Sequence, residues 1–327
     1  MWFTEMIRTL QIENFKSIKH LKLNCKKVNI FIGEPNTGKS NILEALGFMS
    51  SFYHGPTPRR FVRFENMRDL YYDHVLENKV AIGFNEKALE ITFKDGHFTV
   101  SYSDGKASPT DIFVYDYDGN PRLASRYTDF SLLKFYRFAV REDYPDQRSE
   151  FLHPPDGDNL LAVILARKEL RTLLKQLFEH FGLSLVLEPR EGKIKVQKQL
   201  EDVIIAFPYR LASETLQRLV FYLTAIHSNK NSVLAFEEPE AHAFPYYTKY
   251  LAEIIALNKN DNQYFMSTHN PYFLLSILEK TPKKEVAVFL THLENYQTKV
   301  KILTESDIKE VLEKGTDVFF DIERFLP

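Results

Sequence analysis

The sequence has few features that would tie it to a membrane or to an oxidising compartment. Its 327 residues include one cysteine, Cys25, which excludes a disulfide framework and a cysteine-based zinc site. No stretch approaches the roughly 18 apolar residues that a membrane-spanning helix needs. Charged residues also interrupt the N-terminal stretch where a signal peptide would carry its apolar core. We therefore expect a soluble cytoplasmic protein without a membrane partner.

A net charge of either sign is also missing. Lys and Arg total 42 and Asp and Glu total 44, which gives a formal net charge of −2. This balance excludes a global basic field that would attract nucleic acid, although local basic patches remain open.

The most informative stretch is a phosphate loop between a strand and a helix. Val28–Ile32 is an apolar run typical of a buried strand, and an amphipathic helix begins near Lys39. The loop between them matches the pattern G-x-x-x-x-G-K-[ST] in full; it consists of Gly33, Glu34, Pro35, Asn36, Thr37, Gly38, Lys39 and Ser40. Its glycines let successive N–H groups face one anion, and the helix N-terminus adds a partial positive charge. We predict that this loop and the adjoining Asn41 bind a nucleoside triphosphate, with Lys39 on the β- and γ-phosphates and the Ser40 hydroxyl on Mg²⁺.

The flanking segments carry β and helical patterns. Residues 6–23 predict a hairpin, and residues 79–117 predict an antiparallel meander with two Asp-Gly turns. We interpret the Arg- and aromatic-rich residues 59–75 as a partly buried helix, with a phosphate- or nucleic-acid-binding stripe as the alternative. Residues 159–182 have a strong helical period, and residues 212–227 predict a helix with Ser213 as its N-cap.

Two acids follow a second apolar strand, Val233–Phe236. A magnesium-dependent triphosphatase needs one carboxylate to hold the metal and another to orient and deprotonate water. By position, Glu237 takes the first role and Glu238 the second. The alternative is a charged pair that only caps a strand, but the complete phosphate loop upstream favours catalysis.

A histidine also follows a predicted strand, in the segment STHNP. Ligands of open α/β sheets gather at the carboxyl ends of strands, so His269 is a candidate sensor of the γ-phosphate. The alternative is a histidine that serves only a turn or the core.

Four patches occur in the order IENFKSI, GEPNTGKS, LAFEEPEAHAFP and STHNP. Together they resemble the ABC-type ATPases of the RecF, SMC and OLD group, and most nearly the small standalone OLD-like AAA ATPases. The resemblance implies an α/β P-loop NTPase fold with a RecF-like mixed sheet, a β-rich lobe and a small helical insertion. It implies one domain over residues 1–327, in which residues 1–55 carry the hairpin and phosphate loop. Residues 56–210 would hold the meander and insertion, and residues 211–327 the remaining motifs.

The resemblance also assigns roles. Gly33–Ser40 corresponds to Walker A, Glu237 and Glu238 to Walker B, and His269 to the switch histidine. Family members usually have Asp at the first Walker B position. Because the Glu237 side chain is one methylene longer than that of Asp, another part of the site must compensate for the altered distance between the carboxylate and the metal-bound water.

The family also implies that two protomers close head to tail around two ATP molecules. The motif that would reach the partner's nucleotide corresponds to Leu211–Gln217, with Ser213 at the signature serine and Thr215 where glycine is expected. The helix N-terminus at Ser213 would face the partner's γ-phosphate. The Thr215 side chain, where glycine is expected, leaves less room for the backbone to approach that phosphate.

The predicted function is Mg²⁺-dependent ATP hydrolysis that opens and closes a homodimer or a complex. The alternative is a nucleotide-gated module with negligible turnover that acts on DNA or on an effector protein. A small-molecule kinase is disfavoured, since it would not need the Glu-Glu-Pro-Glu segment. Analogy with OLD proteins suggests DNA transactions or defence against phage. The sequence after His269 is too short for a Toprim nuclease, so a nuclease or toxin effector would be a separate subunit.

Overall fold

The computed structural model describes residues 6–55, 57–124, 126–314, 319 and 321–326. The strands are β1 (Thr9–Phe15), β2 (Ile18–Asn24), β3 (Val28–Gly33), β4 (Val80–Phe84), β5 (Lys87–Lys94), β6 (His97–Ser103), β7 (Thr110–Tyr115), β8 (Pro121–Ala124), β9 (Leu133–Tyr136), β10 (Ser184–Glu188), β11 (Lys193–Leu200), β12 (Val203–Pro208), β13 (Val233–Glu237), β14 (Gln263–Ser267), β15 (Val286–Glu294) and β16 (Gln297–Ile302). The helices are α1 (Lys39–His54), α2 (Leu160–Ala166), α3 (Lys168–Glu179), α4 (Glu214–Ser228), α5 (Pro245–Leu257), α6 (Pro271–Lys280), α7 (Glu305–Lys314) and α8 (Ile322–Phe325). None of these helices is long and apolar enough to span a membrane.

A six-stranded mixed sheet carries the phosphate loop. Its strand order is β16-β15-β3-β14-β13-β9, and every neighbouring pair is parallel except β15 and β16. Both faces are buried, as expected of parallel strands that read as continuous apolar runs. Ile30 and Phe236 face the helices of the second half, while Phe31 and Phe265 face α1 and the other large sheet.

A seven-stranded antiparallel sheet covers the opposite side of α1. Its order is β2-β1-β4-β5-β6-β7-β8, so the N-terminal hairpin extends the meander rather than standing apart. A third sheet, β10-β11-β12, follows α2 and α3 in the chain. The hairpin, the meander, the mixed sheet and the Ser213 cap of α4 are therefore confirmed.

The predicted helix over residues 59–75 is wrong. The chain there forms only single 3-10 turns, Pro58–Arg60, Met67–Leu70 and Tyr72–His74. Asn66 starts a new turn with a capping box, and Asp73 has a φ of 49°, which a continuous α-helix does not permit. Local capping therefore outweighs the apolar spacing of this segment.

One further prediction needs correction. The helical stretch from residue 159 to 182 is two helices, because Arg167 adopts an extended conformation between α2 and α3. Residues 118–158, for which the sequence pattern predicts no element, contain β9, the edge strand of the mixed sheet. β9 has only four residues, all buried, so it lacks the alternation that identifies a longer strand.

Candidate functional site

The phosphate loop lies at the carboxyl end of β3 and leads directly into α1. Gly33 and Gly38 have φ values of 142° and 96°, and Asn36 has 63°. A Cβ atom at Gly33 would lie 2.3 Å from the Thr291 carbonyl oxygen, and one at Gly38 would lie 2.0 Å from Thr298 Oγ1. Both positions therefore require glycine for conformational and steric reasons.

The C-terminal hairpin β15–β16 supports this loop from below. The Thr37 and Thr291 hydroxyls are 2.6 Å apart, and Thr291 Oγ1 donates to the Ile32 carbonyl at 3.0 Å. The Thr37 hydroxyl also donates to the Glu34 carbonyl at 2.8 Å. Gly33, Glu34 and Thr37 thus shape the loop.

The Lys39 side chain folds back onto the first residues of the phosphate loop. Its Nζ donates to the carbonyl oxygens of Gly33 and Glu34 at 2.8 and 2.7 Å. Burial lowers its pKa to about 8, against the opposing effect of the Glu238 and Glu34 carboxylates. An ammonium group has three donors, so one remains for a ligand in addition to these two bonds.

The loop borders a cleft of about 420 Å³ that brings most of the predicted site residues together. Its lining consists of Pro35, Asn36, Gly38, Lys39, Ser40, Asn41, Arg63, Glu238 and His269. Asn41 donates its side-chain amide to Ser17 Oγ at 2.7 Å, which ties the helix start to the β1–β2 turn.

Glu238 and His269 lie side by side in the lining of the cleft. β13 and β14 are parallel neighbours, with Glu237 opposite Ser267, so residues just after both strands meet at one edge. His269 Nε2 lies 3.3 Å from a Glu238 carboxylate oxygen, and the Glu238 N–H donates to Ser267 Oγ at 3.2 Å. Burial and the Lys39 charge lower the pKa of His269, while Glu238 opposes them. A neutral imidazole beside a carboxylate can accept or donate one hydrogen bond toward a ligand.

Glu237 lies deeper than Glu238, and both of its oxygens are occupied. Arg63 Nη2 approaches one oxygen at 2.8 Å and Arg137 Nε the other at 2.6 Å. Burial alone would raise the pKa of this carboxyl, but Arg137, Arg63 and a hydrogen bond with Ser40 outweigh it and lower the pKa. The group is therefore ionised at neutral pH.

Ser40 and Glu237 suit a magnesium ion. They are hydrogen-bonded neighbours, and a hydroxyl and a carboxylate are the hard oxygen donors that Mg²⁺ prefers. Mg²⁺ commonly keeps several waters and uses one or two protein ligands together with substrate phosphates. These two residues fit that requirement.

Four charged residues in or next to the cleft were missed as site residues in the sequence. Glu44 is fully buried on α1, one turn after Ser40, and it accepts from Lys16, Arg63 and Arg137. An acid within the apolar pattern of α1 was the available signal, because such a charge requires partners. Arg63 lies in the segment for which phosphate binding was the alternative interpretation, and it does line the cleft.

A buried carboxyl connects the two loops that carry Glu238 and His269. Glu240 accepts a hydrogen bond from the Thr268 hydroxyl, and Thr268 immediately precedes the histidine. Burial raises the pKa of Glu240 to about 7, against the opposing Thr268 bond. The two loops are therefore mechanically joined.

Ser213 and Thr215 lie outside the cleft of their own chain. Ser213 Oγ accepts from the Leu216 N–H at the start of α4, and Thr215 Oγ1 donates to the His242 carbonyl at 2.7 Å. Their predicted contact is with the nucleotide of a partner, and it stays a prediction.

Comparison with known proteins identifies the family of this chain. Residues 28–276 match the family model described as AAA domain, putative AbiEii toxin, Type IV TA system. Among curated relatives, an uncharacterized protein of Methanocaldococcus jannaschii is 32% identical over 105 residues, which are 28% of this chain and 48% of the relative. An ATP/GTP phosphatase of Helicobacter pylori is 38% identical over 64 residues, 19% of this chain and 17% of that protein. The matched regions span less than half the length of either relative.

Solved structures show the fold. An Smc head bound to the C-winged helix domain of ScpA aligns over 92% of this chain and 99% of its own, with a TM-score of 0.56 and 15% identity. The Smc head of Pyrococcus furiosus with an extended coiled coil, bound to the C-terminal domain of ScpA, aligns over 94% and 98%, with a TM-score of 0.52 and 13% identity. The fold is thus a P-loop α/β fold like that of the solved Smc heads, and the chain belongs to the family described as AAA domain, putative AbiEii toxin, Type IV TA system.

Proposed function

We propose that this protein binds ATP with Mg²⁺ at the phosphate loop and hydrolyses it. The observation that carries the proposal is the convergence of four side chains on one cleft, those of Lys39, Ser40, Glu238 and His269, with Glu237 next to Ser40. Family membership supports nucleotide hydrolysis as the activity.

Each residue has a distinct task in this reaction. The loop N–H groups and Lys39 hold the β- and γ-phosphates, and Ser40 and Glu237 hold the metal. A bound Mg²⁺ supplies charge neutralisation at the phosphate oxygens. Glu238 orients a water toward the γ-phosphorus and accepts its proton as the bond to the ADP oxygen breaks. The neutral His269 donates a hydrogen bond near the γ-phosphate.

Two substitutions test these roles. Lys39→Ala should abolish binding of a fluorescent ATP analogue, because the loop loses its cation. Glu238→Gln should keep that binding and reduce phosphate release by about 100-fold or more, since removal of a general base typically costs 10²–10⁴-fold. A Glu238→Gln protein that releases phosphate at the wild-type rate would show that the base is another residue.

We further propose that nucleotide binding closes a homodimer head to tail. Ser213, whose side chain caps the start of α4, would reach the partner's cleft. Exposed apolar side chains accompany this face: Leu211 is 61% exposed and Phe244, two residues after His242, is 69% exposed. Such side chains are common where a protein surface becomes buried in a complex.

A second candidate is a nucleotide-gated module with negligible turnover. It is favoured by Glu237, whose two oxygens are already paired with arginines, and by Thr215 in place of glycine. Single-turnover assays with and without duplex DNA distinguish the candidates. Steady multiple turnover by the protein alone would exclude the module.

The biological setting is proposed from the comparisons and from the resemblance to OLD proteins. The family description names a type IV toxin–antitoxin system, and the solved Smc head is described as bound to a domain of ScpA. We propose a separate effector subunit, a toxin or a nuclease, as the partner, with DNA as a further candidate ligand and defence against phage as the role. Co-purification with the products of neighbouring genes, followed by ATPase assays with each product, tests this proposal.

A further inference from the structure

The Glu237 carboxylate, which is proposed to bind the metal, is contacted by Arg137, and Arg137 also contacts a buried carboxylate. Arg137 Nε lies 2.6 Å from Glu237, and Arg137 Nη2 lies 2.7 Å from the buried Glu44. One guanidinium therefore bridges two carboxylates, using the rigid fork of donors that only arginine has.

The sheet places Arg137 and Glu237 side by side. β9 and β13 are parallel, with Tyr136 opposite Phe236 in the register. The next residues, Arg137 and Glu237, therefore leave neighbouring strands at the same height and on the same face. The edge strand β9 thus positions the arginine for this contact.

The base of the Arg137 side chain is fixed as well. The backbone N–H of Arg137 donates to the Pro155 carbonyl at 3.0 Å, and the guanidinium carbon lies 5.0 Å from the centre of the Phe135 ring. Its side chain is 24% exposed, whereas that of Arg63, the other partner of Glu237, is 58% exposed and lines the cleft. Arg137 is the more constrained of the two contacts.

The buried anchor makes the arrangement durable. Glu44 also accepts from Lys16, whose Nζ donates to the Arg63 carbonyl at 2.6 Å. A fully buried carboxylate surrounded by cations is costly to disturb, since loss of one partner leaves an uncompensated charge. Glu44 therefore anchors the Arg137 guanidinium beside Glu237.

We propose that Arg137, anchored by Glu44, is a positioning residue that sets the Glu237 carboxylate for Mg²⁺. A glutamate has one more rotatable bond than an aspartate, so its carboxylate needs an external contact to keep a defined position. Arg137 supplies that contact through its bond to one of the two Glu237 carboxylate oxygens. This inference rests on the proposed binding of ATP with Mg²⁺.

The test measures how much Mg²⁺ strengthens nucleotide binding, rather than turnover. The affinity for a fluorescent ATP analogue is determined with Mg²⁺ and with EDTA, and the ratio of the two is compared between variants. Arg137→Met keeps the apolar stem and removes the fork, and the ratio should fall by about 10–100-fold, the usual effect of losing a residue that supports a metal ligand. Affinity in EDTA should change little.

Arg141→Met is the matched control. Arg141 is 26% exposed and pairs with Asp156 at 3.2 Å, away from Glu237. Its replacement should leave the ratio unchanged. Arg137→Lys keeps the charge but lacks the rigid fork that fixes the distance between the two carboxylates, so it should give an intermediate ratio and remains informative if Arg137→Met does not fold.

Glu237→Asp provides the decisive combination. A shorter carboxylate depends less on an external contact, so Arg137→Met should weaken the ratio much less in the Glu237→Asp background than in the wild type. An equal loss in both backgrounds, an equal loss with Mg²⁺ and with EDTA, or no loss would overturn the positioning role. If Mg²⁺ does not change the affinity of the wild-type protein for nucleotide, the proposed function is contradicted as well. Failure of the positioning role can therefore be distinguished from failure of the proposed function.

Discussion

At the scale of single residues, the most consequential property of the site is the protonation of Lys39. Burial lowers its pKa to about 8, so in the ligand-free protein the ammonium begins to lose its proton just above neutral pH. A triphosphate beside the amine would stabilise the charged form and raise this pKa. Nucleotide binding should therefore be linked to proton uptake by Lys39 above pH 8.

The sign of the pH dependence follows. Below its ligand-free pKa, Lys39 is already protonated, so nucleotide binding takes up few protons. Above that pKa, each binding event must add a proton to Lys39. The affinity for nucleotide should therefore fall as the pH rises through about 8. Calorimetric titrations in two buffers of different ionisation enthalpy measure the uptake. Equal uptake at about pH 7 and about pH 8.5 would contradict the assignment to Lys39.

The individual site residues differ in how far the sequence could predict them. The phosphate loop was predictable because its glycines and lysine must occur at fixed spacing, and Glu238 and His269 because both directly follow apolar strands. Glu44, Lys16 and Arg137 come from three distant parts of the chain. Their partnership is a tertiary fact that no local spacing encodes.

At the scale of elements, the phosphate loop depends on the hairpin β15–β16. Gly38→Ala would force a residue with a Cβ into a φ of 96° and against Thr298 Oγ1. The conformation alone costs about 1–2 kcal/mol, as for a left-handed residue. We expect a lower Tm together with loss of nucleotide binding, because the loop must move away from β16.

Gly96→Ala is the control for conformational strain. Gly96 lies between β5 and β6 with a φ of 78°, and an added Cβ would meet nothing within 4 Å. Thermal unfolding and nucleotide affinity are measured for both variants. Gly96→Ala should lower Tm and leave affinity intact; a Gly38→Ala protein that binds nucleotide as the wild type does would show that the loop tolerates displacement.

Elements were predicted well where periodicity is long and poorly where capping decides. The meander and α4 have many residues in register with their pattern. The apolar spacing of the segment from Pro58 to His74 would suit a helix. However, Asn66 and Asp69 form a capping box that begins a separate 3-10 turn. Side-chain to backbone bonds of this kind compete with helix formation, and an apolar pattern does not register them.

At the scale of the whole molecule, the proposed dimer requires that Ser213 approach a partner's nucleotide. Because Ser213 also caps α4, a disruptive substitution would confuse loss of the cap with loss of the interface. Asp and Asn are N-caps as good as Ser, so Ser213→Asp and Ser213→Asn both keep the helix. They differ by one negative charge.

That difference provides the test. In the Glu238→Gln background, which retains bound ATP, we expect the protein to be dimeric with ATP and Mg²⁺ and monomeric without them, by light scattering. Adding Ser213→Asn should preserve the dimer, whereas Ser213→Asp should abolish it, because a carboxylate would face the γ-phosphate across the interface. Nucleotide binding by the monomer should be the same in both, since Ser213 lies outside its own cleft. Equal dimerisation of the Asp and Asn variants would remove Ser213 from the interface and leave the nucleotide site to act within a single chain or against another partner.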